Sequence, residues 1–168
     1  MRRLLPLIIL SPAMLVLAAC SEKPQQSDEE AIAQVKAAQD AKPPAKPIDP
    51  QPIGYFDIRD NKLIAAGCNF VADGGGMGAT ALAQGERAVI KLDGHIVALA
   101  ADKGSARLPQ EAWSRYSGKE YALTLTKIED GKQIVNGAVE MFDAHLTITD
   151  PHDQVVYDSK GSAQCKPM

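Results

Sequence analysis

The chain has 168 residues, of which 18 are basic and 21 acidic, so its formal net charge is −3. A mildly acidic chain lacks the basic surface that attracts nucleic acids, and we expect no nucleic-acid partner. Hydrophobic residues make up 45% of the sequence but aromatic ones only 5%. We therefore expect Val, Ile, Leu and Ala to fill any core.

The first residues have the layout of a bacterial signal peptide. Arg2 and Arg3 precede an apolar run at 4–17, which is shorter than the ~20 residues that span a bilayer. The run ends in Leu17-Ala18-Ala19-Cys20, which resembles the lipobox of bacterial lipoproteins. The resemblance implies cleavage after residue 19 and diacylation of the Cys20 thiol. An ordinary signal peptide with an incidental cysteine is the alternative.

Lipidation at Cys20 would place the protein in the bacterial cell envelope, attached to a membrane through its acyl chains. Ser21, rather than Asp, follows the cysteine. Under the common sorting rule for lipoproteins, this favours the outer membrane, with the protein facing the periplasm. Loss of Arg2 and Arg3 would leave 16 basic against 21 acidic residues, a net charge of −5.

Residues 20–52 are predicted to form a disordered tether. After the cysteine, this segment holds six prolines and few large apolar residues, a composition that opposes a packed core. One part, 27–39, can form a transient helix with Ser27 as N-cap and Glu30 at the capping-box position.

Residues 53–168 are predicted to form one all-β domain, a small antiparallel barrel or sandwich of about eight strands. The dipeptides Asp93-Gly94 and Asp130-Gly131 are hairpin signals, because their residues tolerate positive φ. Further turns are expected at Asp60-Asn61, between strand segments 53–59 and 62–72, and at Asp150-Pro151.

Apolar residues alternate with threonines in the second half of this domain. Leu123 and Leu125 share one face of a predicted strand, as do Leu146 and Ile148, which is the period of a half-buried strand. The single short helix is predicted at 109–113, which begins with a proline.

Cys68 and Cys165 remain once Cys20 is assigned to lipid. In an oxidising compartment they are expected to form a disulfide. Closing so long a loop would contribute about 4–5 kcal/mol, less any native strain. Two free or metal-binding thiols are the alternative.

The glycine-rich run at 71–80 fits the dinucleotide-binding pattern G-x-G-x-x-A at Gly74, Gly76 and Ala79. That fingerprint requires a long crossover helix after the glycines and an acidic residue on the ribose. Only six residues, 79–84, lie between Gly78 and Gly85, and Asp93 is already assigned to a hairpin. We interpret the run as a connection between strands and expect no nucleotide or other cofactor.

Catalytic and metal-binding patterns receive no support. The sequence contains no G-x-S-x-G, H-E-x-x-H or S-x-x-K motif. Asp143, His145, Asp150, His152 and Asp153 have metal-compatible chemistry, but a turn at Asp150 would put the two histidines roughly 15 Å apart. We interpret them, and His95 after its turn, as solvated residues of strand edges. No catalytic residue and no metal ligand is assigned.

Residues 108–121 are the best candidate for contact with a partner, since Trp, Tyr and Arg are enriched at binding hot spots. In the alternative interpretation, Trp113 covers one end of the core and the basic residues are simply solvated. The candidate partner-binding residues are Trp113, Arg115, Tyr116, Ser117, Lys119 and Tyr121.

The segment Ser117-Gly118-Lys119-Glu120-Tyr121 matches S-G-x-x-Y, a motif of the membrane-bound and periplasmic inhibitors of c-type lysozyme. The lipobox, the small β domain and the positions of the two later cysteines are similar as well. In that family the domain is an antiparallel β-barrel whose Ser and Tyr lie on or beside a loop that enters the lysozyme active site. The resemblance covers residues 68–165 and implies such a role for Ser117, Lys119 and Tyr121.

The sequence thus predicts a lipid-anchored, non-enzymatic envelope domain that binds a protein ligand such as lysozyme. A structural or accessory lipoprotein with another envelope partner is the alternative.

Overall fold

The computed structural model describes residues 27–168. They divide into two units, of which the second, Lys42–Met168, is the compact domain. In the first unit, helix α1 (Asp28–Asp40) has no buried residue, and the Ser27 hydroxyl accepts a hydrogen bond of 3.3 Å from the Glu30 amide as predicted. Among the helices within residues 27–168, none is long and apolar enough to cross a membrane.

The domain consists of nine strands and one short helix, α2 (Tyr55–Asp60). The strands are β1 (Gly67–Ala72), β2 (Ala81–Gln84), β3 (Arg87–Leu92), β4 (His95–Ala101), β5 (Arg115–Ser117), β6 (Ala122–Lys127), β7 (Gln133–Asn136), β8 (Val139–Thr149) and β9 (Val155–Lys166). All pairings are antiparallel, in the order β6-β5-β4-β3-β2-β1-β9-β8, and β8 returns to β6. The predicted barrel is confirmed, closed by eight strands, and β7 extends it beside the first half of β8.

The barrel interior follows the predicted alternation. Leu123, Leu125, Leu146 and Ile148 are at most 1% exposed, whereas the threonines between them face outward. Inward residues of all eight strands share one core, in which Tyr116 and Phe70 are the largest side chains.

Residues 53–59 form most of helix α2 and not the predicted strand. The Asp57 carboxylate accepts a hydrogen bond of 2.9 Å from the Gly54 amide and so satisfies a free donor at the helix start. Behind the helix, a second apolar cluster covers the outer face of β2 and β3; its buried members are Ile53, Leu63, Leu82 and Val89. Apolar residues that pack on the outer face of a barrel need not alternate with polar ones, so their pattern does not distinguish a strand from a helix.

The predicted helix at 109–113 is also wrong. Gln110 and Glu111 both have positive φ angles, 57° and 62°, which no right-handed helix contains. The Leu108 amide instead donates to the Ala112 carbonyl at 2.9 Å, and Arg107 pairs with Trp113 in an isolated bridge. The segment is therefore a tight turn whose two ends, at Arg107 and Trp113, pair with each other in antiparallel fashion.

Of the two predicted hairpins, the one at Asp93-Gly94 is confirmed, with φ angles of 48° and 80°. The one at Asp130-Gly131 is wrong, because β6 and β7 do not pair with each other but both pair with β8. The hairpin lies instead at Gly137, whose φ is 59°, between β7 and β8.

The compact domain begins before the predicted boundary at Ile53. The Ile48 amide donates to the Val156 carbonyl at 2.9 Å, and the Gln51 amide donates to the Lys91 carbonyl at 2.8 Å. Pro50 between them is buried. This proline-rich stretch therefore belongs to the compact domain, because its amides donate hydrogen bonds to carbonyl groups of β9 and β3. It does so although it carries few large apolar residues.

Cys68 and Cys165 lie directly opposite each other on β1 and β9. Their sulfur atoms are 1.98 Å apart, the separation of a disulfide bond, and both residues are buried. Cys20 lies outside the described residues.

Candidate binding site at one end of the barrel

The two ends of the barrel carry different connections, because successive strands run in opposite directions. End A is formed by the connections 73–80, 93–94, 118–121 and 150–154, and end B by 85–86, 102–114 and 128–132. The sequence-predicted binding residues are divided between them. Ser117, Lys119 and Tyr121 belong to the turn at end A, whereas Trp113 belongs to end B.

The turn after Ser117 is tight and exposed. The Gly118 amide donates a hydrogen bond of 2.8 Å to the Tyr121 carbonyl, and Ser117 pairs with Ala122 across the hairpin. A Cβ atom on Gly118 would lie 2.6 Å from Leu99 Cδ2, so glycine lets the turn rest directly on the core. The side chains of Ser117 and Lys119 point into solvent from this fixed backbone.

A cavity of about 470 Å³ lies beside the turn. Segment 47–51, β3, β4 and the turn itself contribute its walls, and Tyr121 is half-buried against it. Ile48, Leu92 and Val97 give it an apolar floor. The volume falls within the ~300–1,000 Å³ that small-ligand sites typically have.

The charges around this cavity are of one sign. Asp49, Asp93 and Glu120 supply three carboxylates, His95 lies among them, and none of the described residues that line it is Lys or Arg. Low-dielectric walls lined by one sign of charge favour ligands of the opposite sign. The arrangement suits a cationic group, such as the end of a lysine or arginine side chain on a partner.

In the sequence, Asp93 and His95 indicate only a hairpin, and nothing singles out Asp49 or Glu120. These four residues come from three separate segments, which the pairing of β4 with β5 and the hydrogen bonds of segment 47–51 bring together. Each segment alone has the composition of an ordinary polar turn, so the local sequence does not predict the cavity.

Trp113 at end B is half-buried against the core. Its indole N–H donates to the Gly85 carbonyl at 3.0 Å, and the guanidinium carbon of Arg107 lies 5.0 Å from the ring centre. This is the position expected for a residue that covers one end of the core. Arg115 on β5 is exposed.

Tyr116 was predicted to contact a partner, and its position contradicts that prediction. Its side chain is fully buried in the barrel core, because in a three-residue strand flanked by exposed neighbours it is the one that points inward. Burial raises the pKa of its hydroxyl to about 12, and the hydrogen bond from the Trp113 amide opposes this shift.

The acidic and histidine residues at 143–153 are held apart. His152 lies in the turn at 150–154, whereas His145 on β8 points outward and its Nε2 is 2.8 Å from Asp158 Oδ2. The hydrogen bond with His145 lowers the pKa of Asp158. Within residues 27–168, no group of three or more His, Cys, Asp or Glu side chains is arranged to hold a metal ion.

The glycine run at 71–80 forms the connection from β1 to β2. Gly74 has a φ of 72°, and a Cβ atom on Gly78 would lie 2.7 Å from Pro52 Cβ. Ile53 and Ala79 form a bridge at this point. Gly74 therefore allows the turn, and Gly78 allows segment 52–53 to pack closely against the connection.

Comparison with protein-family models, with curated proteins and with solved structures gives no match for this chain.

Proposed function

We propose that the chain is a lipid-anchored, non-enzymatic binding domain of the bacterial envelope that inhibits c-type lysozyme through the turn at end A. In this proposal Ser117, Lys119 and Tyr121 form the contact, and Cys20 carries the lipid. The adjoining cavity receives a basic side chain of the bound protein.

One observation carries the proposal: the S-G-x-x-Y segment is an exposed, internally hydrogen-bonded turn next to an acidic cavity. A rigid turn loses little conformational entropy on binding, which favours affinity. Complementary charge speeds encounter and selects the partner. The closed antiparallel barrel is also the fold that the family resemblance implies.

Measurement of lysozyme activity tests this proposal. The chain starting at Ser21, which lacks the lipidated cysteine, should inhibit a c-type lysozyme in a saturable manner at micromolar concentration. Raising the salt concentration should weaken the inhibition, because exposed charges are screened. Full lysozyme activity at micromolar protein would rule the proposal out.

An accessory envelope lipoprotein remains the second candidate, and one surface favours it. Tyr55 and Phe56 on α2 are 72% and 66% exposed and pack edge to face at 5.6 Å. Such aromatic pairs are typical of protein contacts. Crosslinking in intact envelopes followed by affinity capture separates the two candidates: an accessory role predicts endogenous partners that are lost on Phe56→Ser, while lysozyme inhibition is absent.

The anchor has its own test. Replacing Cys20 with Ala should release the protein from membranes. A Cys20→Ala protein that stays membrane-bound and uncleaved would contradict lipidation at this residue.

A further inference from the structure

A second cavity, of about 420 Å³, opens at end B between the connection 102–114 and strands β6 and β8. Its floor is apolar and belongs to the core: Leu125 is fully buried and Phe142 is 2% exposed. Leu108 and Pro109 form an apolar wall. The cavity thus reaches the hydrophobic interior from the surface, within the volume range of small-molecule sites.

Two cations lie at its rim, and only one of them is compensated. Lys127 Nζ is 4.0 Å from Glu140 Oε1 and also donates to the Gln133 side chain. The guanidinium of Arg107 stacks on Trp113, and among the described residues no carboxylate lies within 4.0 Å of it. The uncompensated charge of the cavity is therefore positive and lies at Arg107.

We propose that this cavity binds a small amphiphilic anion, an apolar chain that ends in a carboxylate. The chain would cover the half-buried side chains of Leu108 and Pro109, removing their apolar surface from water. The carboxylate would accept hydrogen bonds from Arg107, whose planar guanidinium matches a carboxylate in two-point geometry. Stacking on Trp113, which lies beside the cavity, restricts the motion of that guanidinium before the ligand arrives.

This inference does not depend on the proposed function. The cavity opens at end B, whereas the S-G-x-x-Y turn lies at end A, so each site has its own ligand. A chain that fails to inhibit lysozyme can still bind the anion, and the reverse also holds.

Calorimetric titration with decanoate, below the concentration at which it forms micelles, tests the proposal on the chain from Ser21 onward. We expect saturable binding of one molecule per chain. Trp113 is the single tryptophan, so its fluorescence should change along the same titration curve. Decyltrimethylammonium, with the same chain length and opposite charge, should not compete.

Two variants locate the site. Arg107→Gln should weaken decanoate binding by about tenfold or more, the usual effect of losing a charge-assisted hydrogen bond. Ala106→Phe places a ring into the cavity from an exposed position and should abolish binding. Denaturant unfolding of both variants shows whether they are folded.

Arg59→Gln is the matched control, because the guanidinium carbon of Arg59 also lies 5.0 Å from an aromatic ring, that of Phe56, but lines no described cavity. It should bind decanoate as the unchanged chain does. The proposal is overturned if decanoate does not bind saturably, if the cationic amphiphile competes, or if folded Arg107→Gln and Ala106→Phe bind like the control.

Discussion

The Tyr116 hydroxyl donates a hydrogen bond of 2.8 Å to the backbone carbonyl of Gln84, inside the barrel. The same hydroxyl accepts one of 2.8 Å from the Trp113 amide. A single side chain from β5 therefore ties β2 to the connection that carries Trp113 and Arg107. This buried link fixes the connection at end B to the barrel wall.

Tyr116→Phe should lower the free energy of unfolding by about 1–3 kcal/mol. The substitution keeps the ring but leaves the Gln84 carbonyl and the Trp113 amide without their partner in the core. Urea unfolding followed by circular dichroism measures the loss. Tyr55→Phe is the control, since Tyr55 is 72% exposed and its change should be near zero; equal stability of the two variants would contradict the link.

Alkaline pH should destabilise the protein through the same residue. The pKa of Tyr116 is raised to about 12 in the fold, while in the unfolded chain it is about 10. Its contribution is fully present below pH ~10 and is lost as the pH rises toward about 12, where the unfolded chain binds fewer protons.

Unfolding free energies measured from pH ~8 to ~12 should therefore fall more steeply for the unchanged protein than for Tyr116→Phe. Lysines titrate in both proteins, so the difference between the two slopes isolates the tyrosine. Parallel slopes would show that this hydroxyl does not titrate differently in the fold.

Acid should loosen α2. Asp57 Oδ1 is 2.8 Å from Lys91 Nζ, and this hydrogen bond, with a smaller contribution from the Gly54 amide, lowers the pKa of Asp57. The stabilisation is present above the pKa of the unfolded chain, about 3.9, and is lost as the pH falls through the lower folded value.

Asp57→Asn should therefore increase amide hydrogen exchange in residues 54–63 at neutral pH. The difference from the unchanged protein should shrink once the carboxylate is protonated. Asp60→Asn is the control, because Asp60 pairs only with the exposed Arg59 in the same helix. Identical exchange in Asp57→Asn and Asp60→Asn at neutral pH would contradict a role for the Asp57–Lys91 pair.

Replacement by Ala should destabilise the protein at one glycine and have no effect at another. A Cβ atom on Gly161 would lie 2.1 Å from the Val71 carbonyl oxygen and 2.9 Å from Ala72 Cα, its partner on the neighbouring strand β1. Gly161→Ala should cost about 1–3 kcal/mol of stability or more, since backbone must move. A Cβ atom on Gly76 would meet nothing within 4 Å, so Gly76→Ala should unfold at the same temperature as the unchanged protein. Equal melting temperatures for both variants would contradict this close approach.

The barrel was predictable where one face of a strand is buried and the other is solvated. Leu123, Leu125, Leu146 and Ile148 alternate with threonines, and Asp93-Gly94 supplies the positive φ angles of its hairpin. The strand prediction for 53–59 was wrong because Ile53 and Ile58 pack on the outside of the barrel, in one cluster with Leu82 and Val89. There the choice of helix depends on the contacts of Asp57 with Gly54 and Lys91, which lie beyond local patterning.

The candidate site was predictable only in part. The S-G-x-x-Y motif identified the exposed turn, but residue type alone could not show that Tyr116 points inward while Ser117 points outward. Both cavities join residues from segments far apart in the chain. Asp49 and Glu120 are 71 positions apart in the numbering and meet only because segment 47–51 binds across the barrel end.

One pair of variants tests whether the turn at end A contacts lysozyme. Lys119→Trp adds a bulky ring to the exposed turn, whereas Lys103→Trp makes the same change at end B, where Lys103 pairs with Glu86. Inhibition of a c-type lysozyme should weaken by about tenfold or more in Lys119→Trp, because a bulky side chain at the centre of a contact keeps the two surfaces apart, and it should stay unchanged in Lys103→Trp. Equal inhibition by both variants, or none by the unchanged protein, would contradict a contact through the turn at end A.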